Sequence, residues 1–366
     1  MDGGHSIILL SCTLKGKMYE DNSSAALTTT IDDVASSTMA SSSSYDGGFY
    51  FQYAVVVIGV VGTAANALIL YAMVASNEHK KQLLIFNQNV FDLCSSLLLV
   101  ITYTVKLCRI RLIGTLGYWL CVIFESESIY GVSIHGSMIN LLSITIERYI
   151  TVVYPKQSKK LLRQWVIWSA AAFAWIAGSV YQMALVISTS DLIDGVCYGF
   201  ALWKSETAAL IHIFWNFGSF YVTVLFVFVF CYGKILVVVR RQARVMAVHS
   251  GPGSSISQTQ LSHMQTNVIK TMILVCAFYV ITWTPAYVYY LLLYFVSDIT
   301  ITAHSVTMFL GFFYVSANPF IYALKFDPVR RILVCLIPWK KSEQAGERVE
   351  RPAPGTAPTR ATHQRN

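Results

Sequence analysis

Charge is what this sequence has least of. Only 13% of its 366 residues are Asp, Glu, Lys or Arg, while 55% are apolar. Soluble domains carry roughly 25% charged residues. Too little polar surface is left to cover a globule in water, so composition points to a membrane protein. Other absences narrow the class further. No charged region followed by a long apolar run opens the chain, so no cleavable signal peptide is expected. No internal repeat suggests a transporter, and no charged ring or filter loop suggests a channel. No catalytic triad, phosphate-cradling loop or metal-ligand cluster stands out, so an enzyme is not expected and no cofactor is implied at this point. His135, His212 and His304 are too scattered to read as metal ligands.

What is present is segregated apolar sequence. Seven stretches reach the roughly 20 residues that a helix needs to cross a bilayer: 50–75, 83–105, 119–151, 164–189, 207–239, 267–293 and 300–324. Four contain long windows free of Lys, Arg, Asp and Glu: Gln164–Ser190, Thr207–Gly233, Thr271–Ser297 and Ile299–Leu324. Barrel strands would be shorter and would alternate. The expected fold is therefore an all-α membrane protein, a seven-transmembrane helix bundle. A short basic amphipathic helix at Asp327–Ile337 is expected to lie on the membrane surface. The domain reading is a disordered tail at 1–48, a seven-span domain at 49–338 and a second disordered tail at 339–366. Ser250–Ser255, rich in Gly and Ser, reads as a flexible linker.

Lys and Arg set the orientation. With the amino terminus outside, 21 of the 27 basic residues fall on the inner side, as the positive-inside rule requires. The basic balance then faces anionic membrane lipid, and nucleic acid is not needed as a partner. Asn22 heads a glycosylation sequon on the outer side, and Cys335 on the surface helix is a candidate for palmitoylation or a plain buried thiol.

Polar residues inside apolar helices are costly and are functional candidates by default. They occur here as Asn66 in Gly-Thr-Ala-Ala-Asn, Asp92 in Asn-Val-Phe-Asp-Leu, and Glu147-Arg148-Tyr149 followed by Pro155. Trp175, Thr282-Trp283-Thr-Pro285 and Asn318-Pro319-Phe-Ile-Tyr322 complete the set. One per helix and in this order, they resemble the rhodopsin-like G-protein-coupled receptor family over about residues 50–338. The resemblance implies a plasma-membrane receptor that binds an extracellular ligand and activates a heterotrimeric G protein, with a seven-helix transporter or channel as runner-up. It implies that Arg148 pairs with Glu147 at rest, that Tyr149 belongs to the same coupling triplet, and that Trp283 floors the ligand pocket. Pro285 and Pro319 each remove a backbone hydrogen bond and bend their helices. A light-sensing pigment is excluded, because Ile299–Leu324 holds no Lys for a Schiff base.

The resemblance also implies a Cys121–Cys197 disulfide. It implies a sodium ion, as an allosteric ligand, held by Asp92, Ser137 and Asn318, the alternative being a protonated Asp92 bonded to Asn318. Four departures from the family stand out. Tyr221–Leu225 lacks the usual mid-helix Pro, so the fifth helix is expected to be straighter. Cys121 lies two residues farther from Arg148 than is usual, leaving register open at that end. Lys156 replaces an apolar residue that often meets the G protein. Gln265 stands near where some members have an acid that locks Arg148, which leaves the level of basal activity open. Counting from Arg148 or from Cys121, Tyr130 or Ser128 occupies the position where amine receptors of the family have an Asp. With Glu125 and Glu127 at the rim and Tyr130, His135, Trp215, Trp283, Tyr287 and Tyr290 lining the walls, the expected ligand is a peptide, with a small amine as the alternative.

Overall fold

The computed structural model describes residues 31–249, 256–295, 301–325 and 327–336, with side chains in the first helix described from Gly48 onward. Asn22, the 250–255 linker, the 339–366 tail and the side chains of Gln265 and Cys335 lie outside the described residues. Seven helices are long and apolar enough to cross a membrane. They are α1 (Ile31–Ala75), α2 (Leu83–Cys108), α3 (Gly114–Val153) and α4 (Gln164–Thr189). Then come α5 (three consecutive pieces: Glu206–Asn216, Phe217–Val222 and Thr223–His249), α6 (Ile256–Phe295) and α7 (Ile301–Lys325). The last, α8 (Asp327–Leu336), packs against α7 and α1, burying Val329 and exposing Arg330 and Arg331. Helix α1 begins at Ile31, inside the segment read from sequence as a tail; its apolar span starts only at Gly48.

The polarity of the bundle is that of a protein whose solvent is lipid. Val57, Phe173, Val180, Phe226 and Ile281 face outward, while Asn66, Gln88, Asp92, Asn140 and Asn318 are fully buried. Polar groups turn inward because hydrocarbon offers them no hydrogen bonds. Helix α3 is the central post, packing on α2, α4 and α5, while α1 and α7 close the ring. Its contact with α4 depends on Gly178, where an added Cβ would lie 2.6 Å from the Gly136 backbone nitrogen. Asn66 ties α1 to α7 through a 3.1 Å bond to the Val315 carbonyl.

Two helices leave α geometry, and both deviations resolve departures seen in the sequence. In α3 the turn Cys121–Glu125 is a π-helix, followed by Glu127 in the left-handed region at φ 51°. The α-helix resumes at Ser128, whose hydroxyl bonds the Val122 carbonyl. The two extra residues before Arg148 are taken up in this wide turn. Helix α5, expected to be straighter for want of its Pro, still leaves α geometry: Phe217–Val222 is also a π-helix. Carbonyls displaced there find side-chain donors: Thr223 Oγ1 bonds Gly218 O at 2.8 Å, and Tyr279 OH of α6 bonds Phe220 O at 2.8 Å. Such π turns survive only where the displaced carbonyls are satisfied in this way.

A β-hairpin links α4 to α5. Strands Asp191–Ile193 and Val196–Tyr198 pair antiparallel across Asp194-Gly195, both at positive φ. That dipeptide favours the tight turn whose twist matches paired strands. The hairpin brings Cys197 to Cys121, and the predicted disulfide forms with Cα atoms 5.4 Å apart.

Candidate functional site: a mouth, a polar layer and an arginine end

The predicted residues fall into three levels along the bundle. At the disulfide end, Glu127 meets Lys106 of α2 at 2.6 Å and accepts a 2.8 Å bond from Tyr103. It is therefore neutralised by its own protein rather than held open. Glu125 sits half-buried two residues earlier, at the end of the π segment. Tyr130 is buried edge-on against Phe312, and Tyr290 approaches His304 at 3.4 Å. His135 bonds the Gly131 carbonyl and packs against Tyr181 and Phe220. Trp215 does not join them. It is 62% exposed beside the equally exposed Ile211 and Phe214. Helix α5 is apolar all round, so sequence alone could not set its rotation; Asn216, bonded to Tyr181 at 3.0 Å, marks the inward side instead.

Trp283 is buried on α6, in tilted ring contact with Tyr279 and Tyr287 and packed over Gly311. Pro285 and Pro319 lie inside α6 and α7. Tyr221 of α5 and Thr284 of α6 share a 2.7 Å hydroxyl bond beside Pro285.

Below Trp283 lies the polar layer. Asp92, Ser137 and Asn318 converge as expected, but they do not present a cation cage. Asn318 turns its amide N–H toward Asp92 Oδ2 at 3.1 Å. Gln88, unremarked in the sequence, places its amide nitrogen 2.5 Å from Ser137 Oγ and 3.4 Å from Asp92 Oδ1. Both carboxylate oxygens thus face N–H donors, and the Gln88 nitrogen stands between Asp92 and Ser137, where a shared sodium ion would have to lie. The residues present do not fit the ion.

At the far end, Arg148 lies 3.6 Å from Glu147 and donates to Gln82 Oε1 at the start of α2. Tyr149 packs against Tyr154 and Phe230, and Tyr322 is buried in the core. Gln82, Gln88, Asn87 and Asn140 are the residues that sequence reasoning missed. The signal was available, since each is an amide at or within an apolar span.

A buried polar layer inside a seven-helix bundle, capped by a disulfide-linked hairpin at one end and closed by an Arg triplet at the other, defines a seven-transmembrane receptor. The comparison of sequences is more specific. Residues 65–322 match the 7 transmembrane receptor (rhodopsin family), and the chain belongs to that family. It is similar to neuropeptide FF receptor 1 of Rattus norvegicus, at 25% identity over 249 residues, 60% of this chain and 56% of that protein. It is also similar to trace amine-associated receptor 7b of Mus musculus, at 21% identity over 215 residues, 56% of this chain and 59% of that protein. The matched region thus spans little more than half the length of these relatives. A crystal structure of squid rhodopsin superposes with a TM-score of 0.64 and 17% identity, covering 83% of this chain and 91% of that one, and shows the shared fold.

Proposed function

We propose that this receptor sits in the plasma membrane with its amino terminus outside, binds a peptide there, and activates a heterotrimeric G protein. The observation that carries the coupling is the setting of Arg148. Its permanently charged guanidinium is held by Glu147 on its own helix and by Gln82 at the start of α2. Among the described residues no ion pair ties it to α6. Helix α6 can then pivot about Pro285 without breaking a charge contact, which is the rigid-lever movement a two-state switch uses.

The ligand reading rests on the mouth. Tyr130 fills the depth at which an amine would need a carboxylate, and Glu127 already has Lys106 as its counter-ion. An ion pair set among aromatic walls suits a ligand carrying charged and aromatic groups together, as a peptide does; the alternative is a small amine. Neuropeptide FF receptor 1, by its name, supports the first, and the trace amine-associated receptor keeps the second open.

The test is nucleotide exchange on a panel of purified G proteins, using membranes that carry the receptor and libraries of peptides and monoamines. Peptide-stimulated exchange is expected, and Arg148→Ala at equal surface level should abolish it. Exchange driven by a monoamine below about 1 μM would overturn the peptide assignment. Exchange undiminished in Arg148→Ala would overturn the coupling role.

A further inference from the structure

The amides of the polar layer form a directed relay. It begins at Trp175 of α4, whose indole N–H can only donate. That group donates to Asn87 Oδ1 at 3.1 Å. The oxygen of Asn87 is thereby fixed toward Trp175, so its nitrogen turns to Asn140, donating to Oδ1 at 2.9 Å. Asn140 in turn donates to the Leu84 carbonyl at 3.0 Å and to Gln88 Oε1 at 2.9 Å. A backbone carbonyl can only accept, which fixes Asn140 a second time. Gln88 is left one orientation, with its N–H₂ facing Ser137 and Asp92. Amide orientations are properly assigned from such networks, and here the Trp175 N–H sets Asn87 while the Leu84 carbonyl sets Asn140 and, through it, Gln88. Gln88, Asn140 and Asp92 are all fully buried, so no water competes for these bonds.

The consequence lies in the gap between Asp92 and Ser137. Turning Gln88 over would offer an oxygen to a cation there. It would also set the Gln88 nitrogen against the Asn140 nitrogen, donor against donor. The Asn140 amide therefore holds Gln88 in its present orientation, with Ser137 Oγ and Asp92 Oδ1 accepting from it. We propose that Gln88 is the resident occupant of this gap, its amide N–H₂ taking the place of a monovalent cation, and that the receptor is therefore insensitive to sodium. This goes beyond the signalling function and does not depend on it. Asn318 completes the arrangement by donating to the second carboxylate oxygen at 3.1 Å.

The measurement is thermal stability of the purified full chain in detergent, in about 0.15 M sodium chloride and in choline chloride at the same ionic strength. The parent is expected to melt within about 1 °C in the two salts. Gln88→Leu removes the amide and opens the gap. It should melt lower than the parent in both salts, but gain a sodium-specific rise of about 3 °C, the shift expected when an ion is present at some tenfold above its dissociation constant. Gln88→Met, nearer in length, serves as a second variant. Trp175→Phe frees only Asn87, because the Leu84 carbonyl still fixes Asn140, and should stay as indifferent to sodium as the parent. A sodium-specific rise in the parent that Asp92→Asn removes would overturn the proposal, even if neither Gln88 variant folds. So would a folded Gln88→Leu protein that remains indifferent to sodium.

Discussion

The mouth and the polar layer solve the same problem by different chemistry. Both hold a buried or half-buried carboxylate on or beside α3. In the mouth, Glu127 is met by a full charge, Lys106 at 2.6 Å, and the Lys106 and Glu127 side chains retain 13% and 24% exposure. In the layer, Asp92 has no exposure and is met only by neutral amides. Ion pairing is affordable near an edge, where both groups stay partly hydrated. Deep in the bundle the desolvation of a second charge would cost more than the pairing returns, and several dipoles supply the stabilisation instead. The difference teaches where each kind of perturbation should hurt: the mouth should tolerate loss of a partner better than the layer.

The disulfide supplies the largest expected effect, because it anchors the mouth before any pair within it matters. Cys121→Ala should lower stability by about 2–5 kcal/mol and should be read as loss of surface receptor and of its melting transition. Next comes the layer. Asn140→Ala strands the Gln88 oxygen and the Asn87 amide together. At about 1–3 kcal/mol for each orphaned group, partly offset by relaxation, a loss of about 3 kcal/mol is expected in a chemical melt. A loss below that of Lys106→Met would break the contrast. In the mouth, Lys106→Met should cost about 1–2 kcal/mol, discounted for the exposure of the pair. Lys106→Met combined with Glu127→Gln should recover most of it in a double-mutant cycle; strict additivity would mean that the two groups do not interact. Smallest of all, Trp215→Ala should change stability by no more than about 0.5 kcal/mol. It should also leave the response to the activating ligand unaltered, in keeping with its place on the lipid face.

Much of this fold was legible because lipid imposes a blunt rule. Windows such as Gln164–Ser190 are too long and too apolar to be anything but spans, and seven spans were found. The same rule exposed Asp92, Arg148 and Asn318, and the family resemblance supplied the Cys121–Cys197 pairing that the structure contains. What stayed hidden was relational. Gln88 and Asn140 are visible as polar residues, but the direction of their bonds follows from contacts between helices, the Leu84 carbonyl on α2 meeting Asn140 on α3. The rotation of α5 was hidden because a helix apolar on every side has no stripe to read, and so Trp215 was misplaced. The π turns were hidden because nothing in their residue types marks them. Of the two, only the one near Cys121 left a trace, as a two-residue surplus.

That surplus bears on how sequences of this family should be laid against one another. Each residue advances an α-helix by about 100°, so two unplaced residues would turn the whole inner face of α3 by about 200°. The turn at Cys121–Glu127 absorbs them before Ser128, and from there to Val153 the helix is unbroken. An alignment gap therefore belongs within Cys121–Glu127 and not in the loop before it. Placed there, Cys121 and Arg148 both keep their counterparts and Tyr130 keeps phase with Arg148; placed in the loop, Cys121 would be set against the wrong residue, and placed beyond Tyr130, the pocket positions of α3 would be compared with residues from the opposite side.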